Sequence, residues 1–167
     1  HYPSINWMNS YSGYLADIAK WWSENISNDW LDIRSQTYGI LQREDTLKEI
    51  VKLLGPEALP DEEKLILEVA RMVKIGILQQ NSFDDVDTYC SPEKQFKLMK
   101  LQVDFYNKGQ QALKDGASLA DIRSMDVISL LLKARMDVKD DEMPKLDKIE
   151  SDMIEQFKSI TGVKVQN

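Results

Sequence analysis

Apolar residues recur along this chain at spacings of three and four, the signature of helices with one buried face. Tyr11, Tyr14, Leu15, Ile18 and Trp22 follow Ser10, a plausible cap, with Trp21 widening the stripe. Asn28 is the expected N-cap of the next helix, with Asp29 and Asp32 in its first turn. Its stripe is Trp30, Ile33, Thr37, Ile40, Leu41, Leu47, Ile50, Val51 and Leu54, and Gly55-Pro56 ends it. Unbroken, that helix measures roughly 25 residues or about 38 Å. A third helix starts after Pro60 and runs to Gln80. Leu65, Ile66, Leu67, Val69, Met72, Val73, Ile75, Ile77 and Leu78 cover most of its faces, so it is expected to be central and nearly enclosed. Gly76 inside it implies close backbone packing.

The stretch from Asn81 to Cys90 reads as a loop. Ser91-Pro92-Glu93 then supplies a cap, a first-turn proline and an acid. Phe96, Met99, Val103, Tyr106 and Leu113 form the stripe of the helix that follows, which Gly116 stops. Ser118 starts a short helix near Ile122, and Asp126 caps another through Ala134. A polar stretch, Asp137 to Met143, precedes a last helix with the stripe Leu146, Ile149, Met153, Phe157 and Ile160, closed by Gly162. The pattern predicts one all-α domain over residues 1–167 with six or seven helices. No repeat, low-complexity tract or Gly/Ser linker divides it.

Composition narrows the chemistry. The chain has 167 residues, 43% of them hydrophobic, enough for a core. Its 7 glycines and 5 prolines are few, as a helical fold allows. No two glycines have the spacing of a phosphate loop or of a dinucleotide turn, so the chain does not cradle a polyphosphate by itself. The single histidine, His1, leaves little for a histidine-based zinc site or a Ser-His-Asp triad. The single cysteine, Cys90, makes no internal disulfide, and a reducing compartment is the natural setting. A net charge of −7 argues against nucleic acid. No apolar run is long enough to span a membrane. The chain opens on His rather than Met, and a piece of a longer protein is the expectation.

Two segments stand out as candidate sites. The first is the acidic turn Glu57-Ala58-Leu59-Pro60-Asp61-Glu62-Glu63. Helix capping accounts for most runs of this kind; the alternative is an exposed knob that meets a basic partner surface. The second is the loop from Gln79 to Cys90, where Ser82 and Phe83 sit among amides and acids. Such a loop either holds a planar ligand by stacking and edge hydrogen bonds or folds its aromatics back onto the core. The pairs Asp84-Asp85 and Asp140-Asp141 read as solvated surface, and the run Asp84-Asp85-x-Asp87 lacks the glycine and terminal glutamate of a calcium loop. Trp21, Trp22 and Trp30 read as core.

Several ordered stretches carry a family likeness. They are the opening His1-Tyr2-Pro3-Ser4-Ile5-Asn6-Trp7, then Leu53-Leu54-Gly55-Pro56-Glu57-Ala58-Leu59-Pro60, Glu68-Val69-Ala70-Arg71-Met72, and Leu78-Gln79-Gln80-Asn81 with Phe83 and Val86-Asp87-Thr88-Tyr89-Cys90. With these the chain resembles, from His1 to at least Gly116, the C-terminal helical region of the catalytic A subunit of vacuolar-type and archaeal-type rotary ATPases, leaning toward the archaeal type. The resemblance implies a parent enzyme whose barrel, bulge and nucleotide-binding domains lie upstream. It implies ATP or ADP as ligand, with magnesium held by the upstream domain. It implies B subunits and central-stalk rotor subunits as partners, a place on the cytoplasmic face of a membrane complex without insertion into it, and coupling of ATP synthesis or hydrolysis to proton or sodium transport. The fragment alone is then inactive. By the same resemblance the turn Glu57 to Glu63 corresponds to the acidic D-E-L-S-E-E-D loop of the related F-type beta subunit, with Ala58 replacing an acid and Pro60 a serine. Ser82 and Phe83 correspond to the adenine side of the nucleotide pocket, where the family often has Ala in place of Ser82. The alternative is a free-standing helical adaptor that binds a protein through the acidic turn.

Overall fold

The computed structural model describes residues 15–78 and 90–166, and side chains within residues 19–77 and 90–162. Helix α1 spans Leu15–Asn25, and the proposed Ser10 cap with Tyr11 and Tyr14 lies outside the described residues. A turn at Ile26–Asp29 leads into α2, Trp30–Leu54, which runs unbroken for 25 residues. Asp29 rather than Asn28 occupies the cap position, and its side chain makes no capping bond. Ser27 acts there instead, its Oγ accepting from the Asp29 N–H at 3.1 Å. Trp22 stacks on Trp30, with ring centroids 5.2 Å apart at 22°, which fixes the corner between the two helices. Trp30 is buried, but Trp21 is half exposed, so the expectation that all three tryptophans are core holds only in part.

Gly55 stops α2 with φ 85° and ψ 160°, a region of backbone space open almost to glycine alone. A single 3-10 turn, Pro56–Ala58, carries the chain into α3, Asp61–Val73. Residues Lys74–Leu78 continue α3 as one π-helical turn. Leu65, Val69, Met72 and Val73 are fully buried. Each such side chain contributes about 1.5–3 kcal/mol relative to exposure. Ile66 and Leu67 are half-buried and Ile75 is exposed, while Glu68 and Arg71 pair on the outer face at 2.7 Å. The third helix is therefore amphipathic rather than enclosed.

The enclosed helix is α4, Pro92–Lys114, started by Ser91, whose Oγ accepts from the Lys94 N–H at 3.2 Å. Leu98, Leu101 and Phe105 are buried along with the expected Phe96, Met99 and Val103, so α4 packs on more than one face. It lies against α2 and α3 on one side and, on the other, against α6, Val127–Asp137, and α7, Pro144–Gln166. Short α5, Leu119–Arg123, starts after Ser118 as the sequence predicts, and a reciprocal capping box between Ser118 and Asp121 holds it. Asp126 precedes α6 without a side-chain cap bond. Helix α7 does not stop at Gly162: a lone glycine costs about 1 kcal/mol in a helix, and here the preceding turns carry buried Met153 and Phe157. Among the described residues every regular element is helical, and none is long and apolar enough to cross a membrane.

Gly76 is packed as tightly as its position in α3 implies. A methyl group there would meet the Leu131 carbonyl oxygen and Gln102 Nε2, each at 3.1 Å. An alanine there already requires these neighbours to give by a few tenths of an ångström, and a valine requires more. Gly76→Val is expected to cost about 1–3 kcal/mol by overpacking, read as a lowered urea midpoint. An unchanged midpoint would contradict this packing.

Candidate functional site

The acidic turn is built by Gly55 and anchored by Leu59. Gly55 donates its N–H to the Val51 carbonyl at 2.8 Å and then swings the chain away from the α2 axis. Leu59 is 5% exposed and plugs the turn into the core. Glu57, Ala58, Pro60, Asp61 and Glu62 remain exposed around it. Of the seven residues singled out from the sequence, Leu59 is thus an anchor and not a contact surface. Glu63 is also set back: it is half-buried and bonded to Arg43 of α2. Glu57 lies 3.5 Å from Lys64, but its side chain is 91% exposed, so water screens that pair. The negative face of the turn reduces to Glu57, Asp61 and Glu62, with the last two at the positive end of the α3 dipole.

Two leucines join this face. Leu53 is 83% exposed and Leu54 72%. The sequence pattern puts Leu54 on the buried stripe of α2, but burial on that stripe ends at Leu47, and Ile50 and Val51 are only half-buried. No side chain in the last turn of α2 is buried, and Gly55 turns the chain at once. The outcome is an exposed end that carries apolar Leu53 and Leu54 and acidic Glu57, Asp61 and Glu62. Sequence periodicity missed it, because a stripe that runs past its packing partner looks the same as one that does not.

Ser82 and Phe83 lie outside the described residues. Both ends of their segment are described. On one side the π turn Lys74–Leu78 closes α3; on the other, Ser91 opens α4. Arg135 Nη1 donates to the Ile77 carbonyl at 2.9 Å, and buried Lys94 donates from Nζ to the Arg135 carbonyl at 2.7 Å. Asp140 Oδ1 accepts from the Ser91 N–H at 3.3 Å, which gives that acid a structural task. Cys90 sits beside this group, and burial pushes its thiol pKa up despite the nearby Arg135 and Lys94 charges. A thiol held protonated is a poor nucleophile.

Lower on α3, Lys74 meets the buried Glu44 carboxylate of α2, which also has Lys48 at 3.7 Å. Burial alone would lower the Lys74 pKa; the hydrogen bond its ammonium donates to Glu44 and the charge of that carboxylate more than offset this, and the pKa is raised. Lys97 behaves likewise between Asp147 and Glu150, at 3.3 and 3.1 Å, and ties α4 to α7. Neither cluster contains a nucleophile beside a base. A groove of about 180 Å³ between α4 and α7 is lined by Lys108, Gln111, Asp115, Phe157, Lys158 and Thr161, none of them a candidate site residue.

The profile describing the C-terminal domain of V and A type ATP synthase matches residues 19–123. The A subunit of the A-type ATP synthase from Hyperthermus butylicus is 45% identical over 166 residues, covering 98% of this chain and 28% of that protein. Its counterpart of the same name from Ignicoccus hospitalis is 44% identical over 163 residues, covering 96% and 27%. The V-type ATP synthase alpha chain of Halothermothrix orenii is 40% identical over 145 residues, covering 87% and 25%. The chain spans about a quarter of the length of the curated relatives it matches. The likeness to the first of them runs past Gly116, where the sequence pattern alone gave out.

Proposed function

Because the chain belongs to the family of C-terminal domains of V and A type ATP synthases, we propose that it is the C-terminal helical part of a catalytic A subunit. The parent couples ATP synthesis or hydrolysis to rotor movement and to proton or sodium transport. The observation that supports this most is the 45% identity, over nearly the whole chain, to one such A-type protein. A free-standing adaptor finds no such support.

In this reading residues 1–167 are one helical domain, and the barrel, bulge and nucleotide-binding domains precede it in the parent. Phosphates and magnesium are held by that upstream part, and Ser82 and Phe83 supply the adenine side, with Phe83 stacking on the base. The chain alone turns over no ATP and binds it weakly, because half the pocket is absent. Its partners are B subunits and the central-stalk rotor, and it works at the cytoplasmic face of the membrane complex.

The acidic turn is the rotor-facing surface. Glu57, Asp61 and Glu62 meet basic groups on the rotor, while Leu53 and Leu54 add apolar contact beside them. Long-range attraction sets the approach, and the leucines give the short-range grip that pushing requires.

The test is charge reversal of Glu57, Asp61 and Glu62 to lysine in the assembled enzyme. ATP hydrolysis is expected to stay within about twofold while ion transport per ATP falls several-fold. Transport fully coupled in the reversed enzyme would rule out the charged contact.

A further inference from the structure

We propose that Arg43 and Gln110 are positioning residues that brace the first turn of α3, so that a push on the acidic turn passes directly into α2 and α4. The inference rests on the reading of that turn as the rotor-facing surface and adds two residues that do not themselves meet the rotor.

The acids that face outward and the groups that hold them lie in one helical turn. Glu62 is exposed, while its backbone carbonyl accepts from Gln110 Nε2 of α4 at 3.1 Å. The carboxylate of Glu63, the next residue, bonds to the guanidinium of Arg43 in α2. On the preceding turn of α4, Asn107 Nδ2 donates to Gln36 Oε1 of α2 at 3.2 Å. Each of the three helices is thereby bonded to the other two. A triangle of bonds resists sliding of one helix past its neighbours, which a single bond does not.

Apolar contact seats the same turn. Leu59, ahead of it, and Leu65, behind it, are buried. A methyl group at Gly109 would come within 2.8 Å of Leu65 Cδ2, so α3 and α4 approach closely beside Gln110. Interiors packed this densely transmit strain. The hold on Glu62 is on its backbone and so fixes the helix itself, whereas a hold on a side chain leaves rotatable bonds between the grip and the helix. At rest the two fastenings are weak: Arg43 is 48% exposed, and an exposed ion pair adds little stability. Their loss therefore leaves the fold and the rotor contact in place. Helix ends open locally at low cost, so without the two bonds the first turn of α3 yields before the bundle moves. The effect shows when the rotor turns against an opposing ion gradient and the turn has to carry force.

Ion pumping by the assembled ATPase with its full-length catalytic chain, reconstituted in vesicles, tests this. Ions moved per ATP are measured without a gradient and against a steep one. Gln110→Met removes the donor and Arg43→Met the cation, each at similar side-chain length. In both, hydrolysis is expected to stay within about twofold and the ratio to match the parent without a gradient, but to fall about twofold against one. Arg43→Lys, which keeps a cation beside Glu63, is expected to recover most of the loss. Gln110→Met carries the test if Arg43→Met does not assemble. A ratio unchanged against the gradient, whatever the melting temperature, overturns the bracing. A ratio that falls equally without a gradient would mean that the contact itself is lost, and overturns it too. Charge reversal of Glu57, Asp61 and Glu62 separates the bracing from the charged contact. If it uncouples the enzyme while the Arg43 and Gln110 variants match the parent, the bracing is overturned and the charged contact stands. If those variants slip only against a gradient while the charge-reversed enzyme stays coupled, the charged contact falls and the bracing stands, the turn carrying force by its shape. If no variant alters the ratio, both are overturned.

Discussion

Phe105→Ala is expected to destabilise this chain by about 3–5 kcal/mol, the range for a fully buried phenylalanine. At this chain length that corresponds to a fall in melting temperature of about 10 °C or more. Phe105 is 0% exposed and sits on α4, the helix against which most of the others pack. Its ring lies 5.2 Å from that of Phe157 on α7, tilted by 57°, so the truncation also removes an aromatic pair. The cavity would open where α4 and α7 face each other, far from any end that could fray to fill it. Phe157→Ala provides the comparison. Phe157 borders the open groove between the same helices, so water and neighbouring side chains can occupy part of the vacated space. Its cost is expected to be smaller, about 2–3 kcal/mol. Urea unfolding of both variants decides the matter, and a larger loss for Phe157→Ala would mean that the core is not centred on α4.

The second large effect is expected at Lys74. Lys74→Met leaves the Glu44 carboxylate, 5% exposed, with Lys48 as its remaining cation at 3.7 Å. Breaking a buried pair from one side costs about 3–5 kcal/mol when both charges are enclosed. Lys74 is about a third exposed and Lys48 stays, so about 2 kcal/mol is the expectation here. Removing both charges is different. Glu44→Leu with Lys74→Met leaves no stranded carboxylate between α2 and α3, and the double variant is expected to lie within about 1 kcal/mol of the parent. Equilibrium unfolding of the two single variants and the double variant measures the coupling. A double variant less stable than Lys74→Met alone would show that the pair itself, and not the stranded charge, sets the cost.

Much of the helical layout can be read from the sequence, because each helix announces itself by a stripe and a cap. Ser91-Pro92-Glu93 and the Ser118–Asp121 box appear in the structure as their chemistry requires. What the stripe does not carry is which helix ends up inside. Asp61 to Leu78 has apolar residues on most faces, yet α4 is the one enclosed, because enclosure depends on how many neighbours a helix finds. The same limit hides Leu53 and Leu54, whose exposure follows from where the chain turns at Gly55. The acidic turn is legible from its charges, but the division into exposed Glu57, Asp61 and Glu62, anchored Leu59 and paired Glu63 is not. That division depends on Arg43, which lies 20 residues away. The bond from Arg135 to the Ile77 carbonyl is invisible to sequence reading for a different reason. Its acceptor is a backbone carbonyl, which every residue has, and Arg135 is 58 positions from the one it caps.

The corner between α1 and α2 has a use of its own. Trp22 and Trp30 stack at 5.2 Å with their planes 22° apart, and Trp30 is sealed from solvent. Indoles this close share their electronic excitation, so the pair should add a split component to the far-ultraviolet circular dichroism beyond that of the Trp21–Trp22 edge contact within α1 at 5.7 Å, and the added component is lost when the two helices part. The chain therefore carries its own optical gauge of one joint in the bundle, and the motion of that joint can be followed without attaching a dye.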